Sequence, residues 1–252
     1  MAASFSLAGK AALVTGANTG LGQAIAVALA EAGADIAAVG RSSAADTGKL
    51  VEAAGRRFVE IKADLGDVSV VDGVVDDAVA ALGGVDILVN NAGIIRRNDA
   101  LAFTEDDWDQ VMNVNLKSVF FLSQAVARHM VDKGKPGKII NIASMLSYQG
   151  GIRVASYTAS KSGVAGLTRL LANEWAGKGI NVNAIAPGYF VTNNTQALRA
   201  DEKRNTEILG RIPAGRWGAP EDLGGAAVFL SSSAADYVHG TVLAVDGGWL
   251  AR

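Results

Sequence analysis

Tyr157 and Lys161 stand four residues apart, so on a helix they share one face, one turn from each other. A phenol whose ordinary pKa lies near 10 accepts a proton poorly at neutral pH. An ammonium beside it favours the phenolate, and each unit of depression corresponds to about 1.4 kcal/mol. The pair is a candidate general acid–base. Thirteen residues before the tyrosine, Ser144 closes the run Ile140-Asn141-Ile142-Ala143, where its hydroxyl can hold a substrate oxygen. Singly, each has a plainer account: a surface aromatic, a solvated helix charge, a helix N-cap. Their order and spacing argue for chemistry.

A second group reads as a nucleotide site. Thr15-Gly16-Ala17-Asn18-Thr19-Gly20-Leu21-Gly22 follows an apolar run and opens a helical pattern. Glycines there allow a tight turn and close backbone approach to a pyrophosphate, which the free N–H groups of the helix start attract. At the end of the next apolar run the chain reads Val39-Gly40-Arg41-Ser42-Ser43. An acidic residue there would bond the ribose 2′-hydroxyl of NAD. A guanidinium beside hydroxyls is instead phosphate chemistry, which favours NADP. The alternative is that Arg41 stacks on adenine with either cofactor.

These residues need a frame. Nearly continuous apolar runs at 11–15, 35–39, 58–61, 85–89, 138–143, 181–185 and 242–245 read as strands buried on both faces of a parallel sheet. Helical spacing fills 20–32, 68–82, 105–130, 157–176 and 221–231. The alternation predicts a doubly wound α/β sheet of seven strands, with residues 1–252 as one domain. The polar stretch 192–210 breaks the pattern and suits a flap over the site.

Composition narrows the function. With 252 residues, half of them hydrophobic, the chain can bury one sizeable core. A net charge of −2 gives no basic footprint for nucleic acid. The absence of cysteine excludes disulfide scaffolds, thiolate metal sites and a cysteine nucleophile. No run approaches a membrane span, and the first residues lack a secretory pattern, so a cytoplasmic protein is expected. His129 and His239 belong to no metal-ligand cluster, and the four tryptophans read as packing residues.

Six motifs in this order, the Thr15 to Gly22 turn, Asn90-Asn91-Ala92-Gly93, Asn113-Val114-Asn115, Ser144, Tyr157 with Lys161, and Pro187-Gly188, resemble the short-chain dehydrogenase/reductase family over essentially the whole chain. The resemblance implies a Rossmann fold with sheet order 3-2-1-4-5-6-7 and a homotetramer. It makes Tyr157 the acid or base, with Lys161 on the nicotinamide ribose lowering the tyrosine pKa. Ser144 would orient the carbonyl or hydroxyl, and Asn115 would hold a relay water through a helix kink. Asn91, with Ala92 and Gly93, would sit beside the cofactor. Asp64 and Leu65 would meet the adenine, and Thr192 would hold the carboxamide.

Further strings, around Ser144 to Arg153, Thr192-Asn193-Asn194-Thr195, Arg211 to Gly218 and the tail from Val245 to Arg252, resemble members of that family acting on gluconate-type sugar acids, including keto-deoxygluconate. That subgroup resembles NAD enzymes at the end of the second strand, whereas Arg41 points to NADP. A sugar acid needs a cation for its carboxylate and polar groups for its hydroxyls. Arg96, Arg97 and Arg153 are the candidate clamps, and Gln149, Asn193 and Asn194 the polar partners. The tail residue Trp249 is a candidate to reach a neighbouring subunit's site. The competing readings are a gluconate 5-dehydrogenase, a ketoreductase on acyl-carrier thioesters, and a non-catalytic nucleotide sensor. The sensor reading fits less well, because all four candidate catalytic residues are present.

Overall fold

A computed structural model describes residues 4–252. Seven strands form one sheet: β1 (Ala11–Thr15), β2 (Asp35–Gly40), β3 (Phe58–Lys62), β4 (Ile87–Asn90), β5 (Gly137–Ile142), β6 (Ile180–Pro187) and β7 (Val242–Val245). Every pairing is parallel and the order is β3-β2-β1-β4-β5-β6-β7, as the resemblance implied. Nine helices accompany it among the described residues: α1 (Gly20–Glu31), α2 (Ala45–Ala53), α3 (Val71–Leu82), α4 (Glu105–Met112), α5 (Ser118–Asp132), α6 (Ala155–Trp175), α7 (Gln196–Ala200), α8 (Glu202–Arg211) and α9 (Gly224–Ser231).

Strand alternation divides the core into two layers. Ala12, Val14, Ile36 and Ile87 face α1 and α9, meeting Ile25, Leu29 and Leu230. Leu13, Val39 and Leu88 face the other way, meeting Val74 of α3, Leu122 and Val126 of α5 and Leu171 of α6. Because each strand buries both faces, its sequence reads as an unbroken apolar run. The switch point of the sheet lies between β1 and β4, which run to the same edge, and ligands bind outside the carboxyl ends of strands at such a point.

The structure departs from the sequence expectation at three helices. α2 is absent from the prediction because its only large buried apolar residue is Val51 and Gly48 interrupts it. Gly48 is required there: a Cβ would lie 2.8 Å from the Phe58 ring. The predicted helix over 105–130 is two helices joined by a π-helical turn, Asn113–Lys117, in which the Ser118 N–H donates to the Asn113 carbonyl. The stretch 192–210 is largely helical rather than irregular. α8 buries only Ile208, too little to mark a stripe in a polar segment.

Candidate active site

The cleft begins at the carboxyl end of β1. Gly16 and Gly20 adopt left-handed φ values of +65° and +56°, open to glycine at little cost. A side chain on Gly22 would collide with the Gly16 carbonyl and the Asn91 amide, so this position brings α1 onto the turn. Thr19 precedes α1, whose first turn carries no acidic residue and so leaves its positive end open to an anion. Asn91 braces the turn from β4, its amide donating to the Thr15 carbonyl at 2.9 Å and the Gly16 carbonyl at 3.2 Å. Thr15 Oγ1 accepts the N–H groups of Asn91 and Ala92 at 3.0 and 2.9 Å.

From here a cleft of about 870 Å³ runs across the sheet edge. Gly16, Asn18, Thr19, Gly20, Leu21 and Gly22 line one end, and Arg41, Ser42, Asp64 and Leu65 its flank. Ala92, Gly93, Tyr157, Lys161, Thr192 and Asn193 continue it. Sequence reading missed Ile94, Val114, Ile142 and Pro220 in this lining. Ile142 was findable, since it lies two residues before Ser144 at the end of β5. Pro187 and Gly188 lie outside the lining. Gly188 is instead a close approach, where a Cβ would come within 2.5 Å of the Asp246 backbone.

Arg41 is well exposed, and its Nη1 lies 3.8 Å from an exposed Asp64 carboxylate. Such a pair is weak and yields readily to a stronger anion. Of the two neighbouring hydroxyls, Ser43 donates to Glu60 at 3.1 Å, while Ser42 faces the cleft. Seat, turn and guanidinium together fit a dinucleotide carrying a 2′-phosphate.

At the inner end, α6 presents Tyr157 and Lys161 one turn apart, and β5 delivers Ser144 beside them. Ser144 also fulfils the plainer reading, because its Oγ accepts the Leu146 N–H at 3.1 Å and caps a short turn. Lys161 is buried, with Nζ 5.7 Å from the centre of the Tyr157 ring and donating to the Ile142 carbonyl at 2.5 Å. Burial holds this ammonium down to about 8. The tyrosine differs from expectation. Burial pushes its phenol above the ordinary value, opposed by a hydrogen bond with Ser144 and by the Arg97 guanidinium. The Lys161 ammonium itself is directed to the Ile142 carbonyl.

Asn115 lies wholly buried in the π-helical turn. Its amide clasps the Ile94 main chain, accepting the N–H at 2.8 Å and donating to the carbonyl at 2.9 Å, with a longer contact of 3.4 Å to Ser160. The expected helix kink is therefore present, and both polar atoms of the side chain are engaged by protein.

A nucleotide seat, a Ser–Tyr–Lys cluster and the 3-2-1-4-5-6-7 sheet now stand together, and comparison with known proteins agrees with them. The family model described as enoyl-(acyl carrier protein) reductase matches residues 16–250. The chain belongs to the short-chain dehydrogenase/reductase family. It is 66% identical to the 2-dehydro-3-deoxy-D-gluconate 5-dehydrogenase of Dickeya dadantii and 64% identical to that of Escherichia coli, each over 98% of both chains. A crystal structure from Agrobacterium tumefaciens, designated a 2-deoxy-D-gluconate 3-dehydrogenase and holding NADP, is 62% identical with a TM-score of 0.94, covering 98% of this chain and 99% of that one. The protein is thus an oxidoreductase of this family that uses a nicotinamide cofactor.

The substrate-side expectations separate within this short-chain dehydrogenase/reductase. Arg96 lines the cleft, but Gln110 at 2.6 Å and Asp107 at 3.5 Å hold its guanidinium. Arg153 is exposed, has a left-handed φ of +63°, and lies off the cleft with its carbonyl accepting the Asn98 N–H. Gln149 also lies off the cleft lining; Trp249 and Arg211 hold it. Arg97 is the arginine whose charge reaches Tyr157, and its Nη2 donates to the Asn194 carbonyl at 3.2 Å. Trp249 is 5% exposed and packs against Tyr189 of its own chain.

Proposed function

We propose that this enzyme interconverts a hydroxyl and a ketone on a sugar acid of the 2-keto-3-deoxygluconate type, with NADP as the preferred cofactor. The observation that carries the reading is the meeting of Ser144, Tyr157 and Lys161 at the inner end of a dinucleotide cleft, in a chain 66% identical to a 2-dehydro-3-deoxy-D-gluconate 5-dehydrogenase. The nicotinamide, when bound, gives or takes the hydride. In ketone reduction Tyr157 donates its phenolic proton to the substrate oxygen, and in oxidation it accepts the hydroxyl proton. Burial keeps that proton on the phenol at neutral pH, which suits the reductive direction. Ser144 orients the substrate oxygen, and Lys161 offers a buried cation to the ribose and replenishes the proton. Asn115 ties the helix turn to Ile94 so that both walls of the site keep their spacing. Thr192, Asn193 and Leu65 complete the contacts to cofactor and substrate.

For the carboxylate, Arg97 is the clamp. Its charge opposes the effect of burial at Tyr157 and its guanidinium is held by the Asn194 carbonyl, whereas that of Arg96 is held by both Gln110 and Asp107. Two further assignments accompany the reading. One is a homotetramer, supported by Trp108 and Phe121, which leave α4 and α5 with aromatic rings about two-fifths exposed. The other is a cytoplasmic location, where the reduced cofactor pool is at hand. No helix of the described residues is long and apolar enough to cross a membrane.

The test is an activity panel of 2-keto-3-deoxygluconate, gluconate, 5-ketogluconate and an acetoacetyl thioester, each with both cofactors. Turnover of the thioester alone would overturn the substrate assignment. Arg97→Ala should raise KM for the sugar acid about 10- to 100-fold, the range of a lost charge-assisted pair. An unchanged KM would remove Arg97 from the clamp.

A further inference from the structure

The C-terminal tail and α8 meet at one amide oxygen. The Trp249 indole N–H donates to Gln149 Oε1 at 3.1 Å, and the Arg211 guanidinium donates to the same oxygen at 3.4 Å. Arg211 also lies over the Trp249 ring, 4.1 Å from its centre. Two donors on one oxygen fix the orientation of the Gln149 amide.

The surroundings make this a joint rather than a surface contact. Asp246 accepts the N–H groups of Gly248 and Leu250 at 2.9 Å each, so the tail is wound tightly before and after Trp249. Trp249 packs with Ile208 and Ile212 of the α8 segment and with Met145, the residue after Ser144. Tyr189 meets Trp249 edge-on at 4.7 Å and Trp217 at 5.4 Å. Trp217 in turn donates to Asn205 near the start of α8 at 2.8 Å. One indole therefore ties each end of α8, and the Trp249 indole also touches the loop that begins at Ser144. α8 follows the segment containing Thr192 and Asn193, which line the cleft.

We infer that Trp249 is a positioning residue for substrate binding: through Gln149 and Arg211 it latches α8 to the Ser144 loop, so the tail sets the substrate half of the site while the dinucleotide seat at the Thr15 to Gly22 turn lies outside the latch. The inference rests on the sugar-acid reading for the identity of the substrate, but not for the latch itself. Neither an aromatic cluster nor a cation over an indole ring alone would require this. The shared acceptor does, because it ties segments from three parts of the chain to a residue five positions from Ser144.

Trp249→Phe keeps a ring for Arg211 and removes the N–H, and Gln149→Leu removes the acceptor. Each should raise KM for the keto acid about tenfold while kcat falls less than twofold, the size of one part-buried hydrogen bond and its ordered partners. The double variant should be little worse than either single one, since both break the same contact. NADP affinity, read by quenching of protein fluorescence, should stay within about twofold, as the latch does not touch the dinucleotide seat. Trypsin should cut at Lys203 and Arg204 faster in both variants, and this holds for whatever substrate the enzyme accepts. Faster cutting without turnover of any sugar acid would sink the substrate reading and leave the latch standing. Unchanged cutting, an unchanged KM in Trp249→Phe, a fully additive double variant, or equal loss of NADP affinity would overturn the latch. A fall in melting temperature with neither a KM change nor faster cutting would assign Trp249 to packing alone.

Discussion

The two ends of the cleft are built in opposite ways. At the Thr15 to Gly22 turn the reading surface is main chain: glycines in left-handed conformations, free N–H groups of α1, and Asn91 bracing two carbonyls. At the other end it is side chains on short helices and a tail, held by contacts such as Arg97 to Asn194 and Trp249 to Gln149. The first end can accept a ligand common to many enzymes, because every chain carries the same backbone atoms. The second can be remodelled one side chain at a time, which is where substrate choice belongs. Tyr157 and Lys161 stand between them, on the long helix that belongs to neither end.

That division can be broken in four ways. The largest effect is expected at the boundary: Tyr157→Phe should lower kcat by about a thousandfold, within the range of acid–base catalysis, with cofactor affinity nearly intact. Near-normal turnover in steady-state assays would end the role of the phenol. At the cofactor end, Gly22→Ala forces a methyl into the Gly16 carbonyl and should weaken NADP binding by about 100-fold or more, with KM for substrate altered only through cofactor occupancy. Equal damage to both ligands would show that the two ends are not separable.

Lys161 gives a test by pH. Its folded pKa, about 8, lies below the ordinary 10.5, so at neutral pH both states hold the proton and the fold bears a buried charge. Between pH 8 and 10.5 the native state releases the proton while the unfolded chain keeps it, so the stability of the natural enzyme climbs through that window. Lys161→Met should therefore be inactive yet more stable at pH 7 by about 2 kcal/mol, after the lost bond to Ile142 is counted. That corresponds to a rise of roughly 4–8 °C in Tm. Calorimetry across the window should find the advantage shrinking as pH rises; an advantage independent of pH would contradict the burial argument. The smallest effect belongs to Arg41→Ala, which should weaken NADP by about tenfold and leave NAD nearly unchanged. Equal weakening of both would return Arg41 to adenine stacking.

How far the sequence carried follows the same division. The strands, the glycine turn and the Tyr157–Lys161 pair were legible because each is local: an apolar run, a turn before a helix, a spacing of four. The sheet order came from resemblance rather than from periodicity, as did the expectation of a tetramer. α2 and α8 were not legible, since Gly48 answers to the distant Phe58 ring and Ile208 stands alone in a polar segment. Gln149 was singled out for substrate because its type fits a sugar acid, yet its partners lie 62 and 100 residues away. Three arginines of the same chemical type could not be ranked until Gln110 was seen holding Arg96 and the charge of Arg97 was seen acting on Tyr157.

The exposed Arg41 has a consequence for the cell's electron supply. The pyrophosphate seat is made of main-chain atoms common to every residue type, whereas the ribose end rests on one exposed guanidinium paired loosely with Asp64. Which pool of reducing equivalents the enzyme draws on, the biosynthetic or the catabolic one, is therefore set at the rim of the cleft. A lineage moving between those pools needs to change only that rim, and the chemistry around Tyr157 passes through the change untouched.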